Sequence, residues 1–132
     1  MKRAIIDLGT NTFHLQIVAE DGQTVFKTSV PAKIGMGGIN KGIITDDGIL
    51  RAINVLKGFK EQIDKFTVPI ENIFAFGTSA FRNASNQKEV VTQIKAATEL
   101  RIEVISGNKE AELIYKGVTQ AVKITEPSLI VD

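Results

Sequence analysis

Three strand-forming segments stand in a row before any helical pattern begins. This opening constrains the fold more than any other feature of the chain. Residues 4–8, Ala-Ile-Ile-Asp-Leu, form a short continuous apolar run of the buried-strand kind. Gly9-Thr10-Asn11-Thr12 is rich in turn formers. Phe13-His14-Leu15-Gln16-Ile17-Val18 follows as a second strand, with Phe13, Leu15 and Ile17 on one face. Glu20-Asp21-Gly22-Gln23 is a hairpin turn signal that leads into a third strand at about 24–30. A three-stranded meander argues against a doubly wound sheet, in which strand and helix alternate from the start.

Beyond the meander the periodicity changes. Ile34 to Gly42 reads IGMGGINKG, with four glycines in nine residues, and is expected to be a mobile loop. Thr45 before Asp46 and Asp47 is a helix start, with a capping hydroxyl and acids in the first turn. Ile49, Ile53, Leu56, Lys60, Ile63 and Phe66 then keep helical spacing, which predicts a helix over 46–66. Ile73-Phe74-Ala75-Phe76 reads as a buried strand ending at Gly77-Thr78-Ser79. Ser85 or Asn86 caps a helix through about Glu99, with Val90, Ile94 and Ala97 inward. Residues 102–105 form a short strand, Ser106 caps a helix over 107–123, and Leu129–Asp132 closes as a strand. The expected fold is α/β and ribonuclease-H-like: a mixed five-stranded sheet with β-β-β-α-β-α-β-α order and helices on both faces.

The last strand echoes the first. Ile5-Ile6-Asp7 and Ile130-Val131-Asp132 are both apolar strands that end in aspartate. Two such loops suit a duplicated domain with a shared cleft, although an aspartate at a strand end is also a common turn starter. The length of 132 residues suits one domain. The apolar ending divides it into residues 1–125 as that domain and 126–132 as the first strand of a second, truncated one.

Composition narrows the chemistry. Sixteen Lys and Arg against fifteen Asp and Glu leave a net charge of +1, which gives no bulk grip on nucleic acid or an anionic membrane. The absence of cysteine excludes disulfides and thiolate sites, and a single histidine excludes multi-histidine metal sites. No apolar run approaches the roughly 20 residues of a membrane span, and the start is too weakly apolar for a signal peptide, so the cytoplasm is the expected compartment.

Three segments carry candidate chemistry. In Asp7-Leu8-Gly9-Thr10-Asn11-Thr12, Gly9 permits close backbone approach, successive N–H groups of a tight turn make an anion-binding concavity, and Thr10, Asn11 and Thr12 add donors. Asp7 could hold Mg²⁺ against phosphate oxygens. The segment reads equally as a hairpin with a polar turn. In Gly77-Thr78-Ser79-Ala80-Phe81-Arg82, Arg82 can reach a cleft at the carboxyl edge of the sheet, where a guanidinium suits phosphate. A surface ion pair is its plain alternative. In Ser106-Gly107-Asn108-Lys109-Glu110-Ala111-Glu112, Glu110 borders the apolar stripe of the last helix. Partial desolvation tends to raise its pKa and the helix N-terminus tends to lower it. Such a carboxylate can act as a general base for water; on the residues alone, dipole compensation is the better account. His14, with no catalytic spacing around it, reads as a structural histidine bonded to a neighbour.

DLGTNTFHL at 7–15, IGMGGINKGIIT at 34–45, GTSAFR at 77–82 and VISGNKEAELIYKGV at 104–118 together resemble the exopolyphosphatase / guanosine pentaphosphate phosphohydrolase family. That family lies within the actin-like superfamily, whose core is two ribonuclease-H-like domains facing across a cleft. The resemblance implies Mg²⁺ or Mn²⁺ held by Asp7 and Asp132, and phosphate bound by Gly9, Thr10, Asn11, Thr12 and Arg82. It implies Glu110 as the base that activates water. Inorganic polyphosphate or guanosine pentaphosphate is the implied substrate, a second domain of the same protein the implied partner, and a homodimer of the full-length protein is allowed. Nucleic acid and membrane are not expected partners. Lys109 and Glu112 depart from the family pattern beside Glu110 without removing the base. The rival readings are a phosphotransferase of the acetate or sugar kinase type and a non-catalytic nucleotide-binding domain of the same superfamily.

Overall fold

The computed structural model describes residues 2–38 and 41–106. The expected helix over 107–123, the closing strand and the boundary at 125/126 lie outside the described residues.

The meander forms as read. Strands β1 (Arg3–Leu8), β2 (Thr12–Val18) and β3 (Thr24–Pro31) pair antiparallel in sequence order. Strands β4 (Ile73–Gly77) and β5 (Ile102–Val104) then add in parallel on the other side of β1. The result is a mixed five-stranded sheet in the order β3-β2-β1-β4-β5, with β1 at its centre. This is the expected α/β, ribonuclease-H-like arrangement.

The pleat sorts the residues by face. Ala4, Ile6 and Leu8 of β1 and Phe13, Leu15 and Ile17 of β2 are fully buried in one cluster. Helices α1 (Asp46–Lys65) and α3 (Gln87–Thr98) cover that face and pack against each other. The opposite face carries half-buried Ile5 and Asp7, with Phe74 41% exposed beside them.

Helix α1 begins as predicted: the Thr45 hydroxyl accepts from the Gly48 N–H at 3.0 Å. Its inward stripe differs in several places: Ala52 is buried while Ile53 is half-buried, and the helix ends at Lys65 with half-buried Phe66 as its C-cap. Phe59, not Lys60, fills the position between Leu56 and Ile63, and each such buried apolar side chain is worth about 1.5–3 kcal/mol. Lys60 sits at the rim, with its ammonium 3.3 Å from the Glu99 carboxylate. In α3 the buried residues are Val90, Ile94 and Thr98, whereas Ala97 is exposed. A four-residue step from Ile94 reaches Thr98, and the Thr98 hydroxyl avoids a buried orphan by donating to the Ile94 carbonyl at 2.7 Å. Asn86 occupies the N-cap position of α3, but its amide does not cap the helix. It bonds instead to both backbone groups of Ile44, at 3.1 and 2.9 Å.

Candidate active-site cleft

Three parallel strands end at one edge of the sheet, and each delivers one of the motifs. β1 ends beside Gly9, β4 leads into Thr78 and a short helix α2 (Ser79–Arg82), and β5 leads into Ile105 and Ser106. Helix α2 is a short element to which the sequence expectation assigned no helix. In open α/β sheets the carboxyl edge is the usual ligand side.

Backbone and hydroxyl bonds lock the three exits together. The Leu8 carbonyl accepts from both the N–H and the hydroxyl of Thr78, at 3.3 and 3.2 Å. The Gly77 carbonyl accepts from the Ile105 N–H at 3.1 Å. Arg82, half-buried, donates from Nη1 to the Ile105 carbonyl at 3.0 Å. The guanidinium thus spans from the β4 exit to the β5 exit at Ile105, five residues before Glu110 in the sequence. Glu110 and Asp132 themselves lie outside the described residues.

The 9–12 segment is a tight turn. The Gly9 N–H donates to the Thr12 carbonyl at 3.2 Å, and a Cβ on Gly9 would stand only 2.9 Å from that oxygen. Glycine is therefore required by close approach at this position. Thr10 and Thr12 are half-buried and Asn11 is exposed. The Thr10 hydroxyl lies 2.9 Å from the Ser79 hydroxyl, which joins the first motif to the second across 69 residues. Asp7 sits one strand residue earlier on the second face, in register with Phe76 of β4, and one of its carboxylate oxygens is buried.

The glycine-rich segment is a docked wall, not the loose crossover expected from its composition. Ile34, Gly35, Gly38 and Ile44 are buried. The Gly35 N–H donates to the Thr10 carbonyl at 3.3 Å, and the Ser85 N–H to the Gly42 carbonyl at 2.7 Å. Asn86 then clamps Ile44 from both sides. A cleft of about 60 Å³ lies between this wall and the 9–12 turn, lined by Thr10, Gly35, Ile43, Ile44, Ser79 and Asn83. Ser79 and Asn86 carry this construction; the sequence offers Asn86 only as a possible helix cap and gives Ser79 no separate role. Ser79 stood inside the GTSAFR motif, whereas the role of Asn86 depends on a segment 42 residues away.

His14 takes the structural role expected of it: its Nδ1 is 2.7 Å from the Ser29 hydroxyl on the exposed sheet face. Among the described residues no cluster of three or more His, Cys, Asp or Glu exists. Among the described residues, Asp7 supplies a carboxylate next to the 9–12 turn. That donor set fits Mg²⁺, which is commonly held by one or two carboxylates and completed by substrate oxygens and water.

The sequence model of the Ppx/GppA phosphatase family matches residues 15–132. The chain belongs to this family. A crystal structure of an exopolyphosphatase from Cytophaga hutchinsonii superimposes with a TM-score of 0.83 and 41% identity, over 92% of this chain and 39% of that one. A guanosine-5'-triphosphate,3'-diphosphate pyrophosphatase of Vibrio cholerae is 34% identical over 98% of this chain and 26% of its own length. A bifunctional 3-dehydroquinate synthase/phosphatase of Fusobacterium nucleatum is 32% identical over 88% of this chain and 19% of its own. This Ppx/GppA chain thus spans 39%, 26% and 19% of these three relatives.

Proposed function

We propose that this chain is the first of two domains of a phosphohydrolase that removes terminal phosphate from inorganic polyphosphate or guanosine pentaphosphate. The observation that carries this reading is the convergence of Asp7, the 9–12 turn, Ser79 and Arg82 on one sheet edge, in a chain of the Ppx/GppA phosphatase family.

The chemistry is attack of water on the terminal phosphorus. The new P–O bond forms from water, the bond to the bridging oxygen breaks, and the proton of the attacking water passes to Glu110. Gly9 lets the turn come close to the terminal phosphate, and the backbone N–H groups of Thr10, Asn11 and Thr12, the hydroxyls of Thr10 and Thr12 and the Asn11 amide bind and orient it. Arg82 adds a planar cation to the charge that develops on its oxygens. Asp7 and Asp132 would hold Mg²⁺ or Mn²⁺, which supplies charge neutralisation at the phosphate oxygens. Asp132 belongs to the first strand, residues 126–132, of the second domain. The greater length of the relatives supports the presence of a further domain. The same reading assigns the protein to the cytoplasm.

The test is Glu110→Gln in the complete protein. Phosphate release should fall by roughly 10²–10⁴, the worth of a general base, with substrate affinity largely kept. Near-normal turnover would remove Glu110 from the reaction.

A further inference from the structure

Arg51 on α1 is half-buried, and among the described residues its guanidinium bonds to two backbone carbonyls. Its Nε donates to the Ala32 carbonyl at 3.1 Å and its Nη2 to the Lys33 carbonyl at 2.8 Å. The N–H groups of Ala32 and Lys33 both donate to the Asn11 carbonyl, each at 2.9 Å. Asn11 stands in the middle of the 9–12 turn.

These bonds form a relay through two peptide planes. The Ala32 carbonyl and the Lys33 N–H belong to one peptide unit, and the Asn11 carbonyl and the Thr12 N–H belong to another. In a trans peptide the C=O and the N–H point in opposite directions. The path therefore runs from Arg51 Nε–H to the Ala32 carbonyl, across that unit to the Lys33 N–H, to the Asn11 carbonyl, and across to the Thr12 N–H. A cation at the head of such a chain polarises each unit after it in the same sense. The second arm of the fork pins Lys33, whose φ of 49° is a left-handed conformation that a lysine keeps only where its surroundings impose it. A parallel bond from the Gly35 N–H to the Thr10 carbonyl turns the Asn11 N–H away from the glycine-rich wall as well.

We propose that Arg51 is a positioning residue for the phosphate-binding turn: through Ala32, Lys33 and Asn11 it orients and polarises the Thr12 amide. The role needs a guanidinium, because a lysine ammonium offers no planar fork to meet two carbonyls at once. The proposal rests on the phosphohydrolase reading for its kinetic consequence, but not for the relay itself.

Two measurements test it. In the complete protein, Arg51→Ala should lower kcat about 10- to 100-fold with a smaller change in KM, as expected for misaimed donors that act most strongly on transition-state charge. Arg51→Lys should recover part of that loss. Val55→Ala, a half-buried site on the same helix, should lose stability and keep kcat. Equal kcat losses in Val55→Ala and Arg51→Ala at matched thermal stability would overturn the proposal, as would an unchanged kcat in a folded Arg51→Ala protein. Separately, the Thr12 amide proton resonance should move upfield in Arg51→Ala, and its hydrogen exchange should quicken. An unmoved Thr12 amide would refute the relay. A wild-type protein that releases no phosphate would refute the functional reading and leave the amide measurement to decide the relay.

Discussion

Replacing Asn86 by alanine should detach the glycine-rich wall from α3. The Asn86 Oδ1 accepts from the Ile44 N–H at 3.1 Å and its Nδ2 donates to the Ile44 carbonyl at 2.9 Å. Ile44 is 2% exposed, so both of its backbone groups would be left with little access to water. A buried group stripped of its partner costs about 1–3 kcal/mol, and the half-buried rim at residue 86 admits some water, so about 2–3 kcal/mol in total is expected. For a domain of this size that is a fall in Tm of roughly 6–15 °C, readable by circular dichroism during heating. Hydrogen exchange at the Ile44 amide should quicken by more than the global loss accounts for, because opening would be local. Asn86→Asp keeps an acceptor for the Ile44 N–H but sets a second oxygen against the Ile44 carbonyl. Its loss at neutral pH should equal or exceed that of alanine. A loss below about 0.5 kcal/mol, the size of an ordinary surface substitution, would refute the idea that this side chain holds the wall.

Gly38→Ala would bring a Cβ to 2.4 Å from the Ile43 carbonyl, a backbone atom that cannot swing aside. A loss of about 1–3 kcal/mol in chemical denaturation is expected for such overpacking, and an unchanged midpoint would refute it. Asp7→Asn should leave the fold intact, since Asp7 lies at a strand end outside the main cluster, and should weaken Mg²⁺ binding in calorimetry of the complete protein. Unaltered Mg²⁺ affinity would take Asp7 out of the metal site.

The sheet was legible because its signals are local. Alternation in residues 13–18, the Glu20-Asp21-Gly22-Gln23 turn and the Thr45 cap each depend on neighbours a few residues away. The first motif was readable for the same reason: Gly9 closes a turn onto Thr12 within the motif itself. What stayed hidden depends on partners far along the chain. Glycine content suggested a mobile segment at 34–42, but Asn86, Ser85 and Thr10 hold it down from distant positions. Lys60 fitted the helical period of α1 as well as Phe59 did until the packing of α3 and Glu99 set the rim. Nothing local marks Ser79, because its partner, Thr10, is 69 positions away.

The strand order also sets a sequence of events during synthesis. β1 can close against β2 as soon as the first hairpin exists, but its other neighbour, β4, begins only at Ile73. At translation rates of about 5–20 residues per second, the wait between Ala4 and its partner Ile73 lasts roughly 3–14 s. Through that interval the nascent meander exposes an unpaired, apolar β1 edge, the kind of template on which other chains pair. Helix α1 emerges first and is the only described helix available to shelter Ala4, Ile6 and Leu8 in the meantime. Substitutions that weaken α1 should therefore lower the yield of folded protein more than their equilibrium cost indicates.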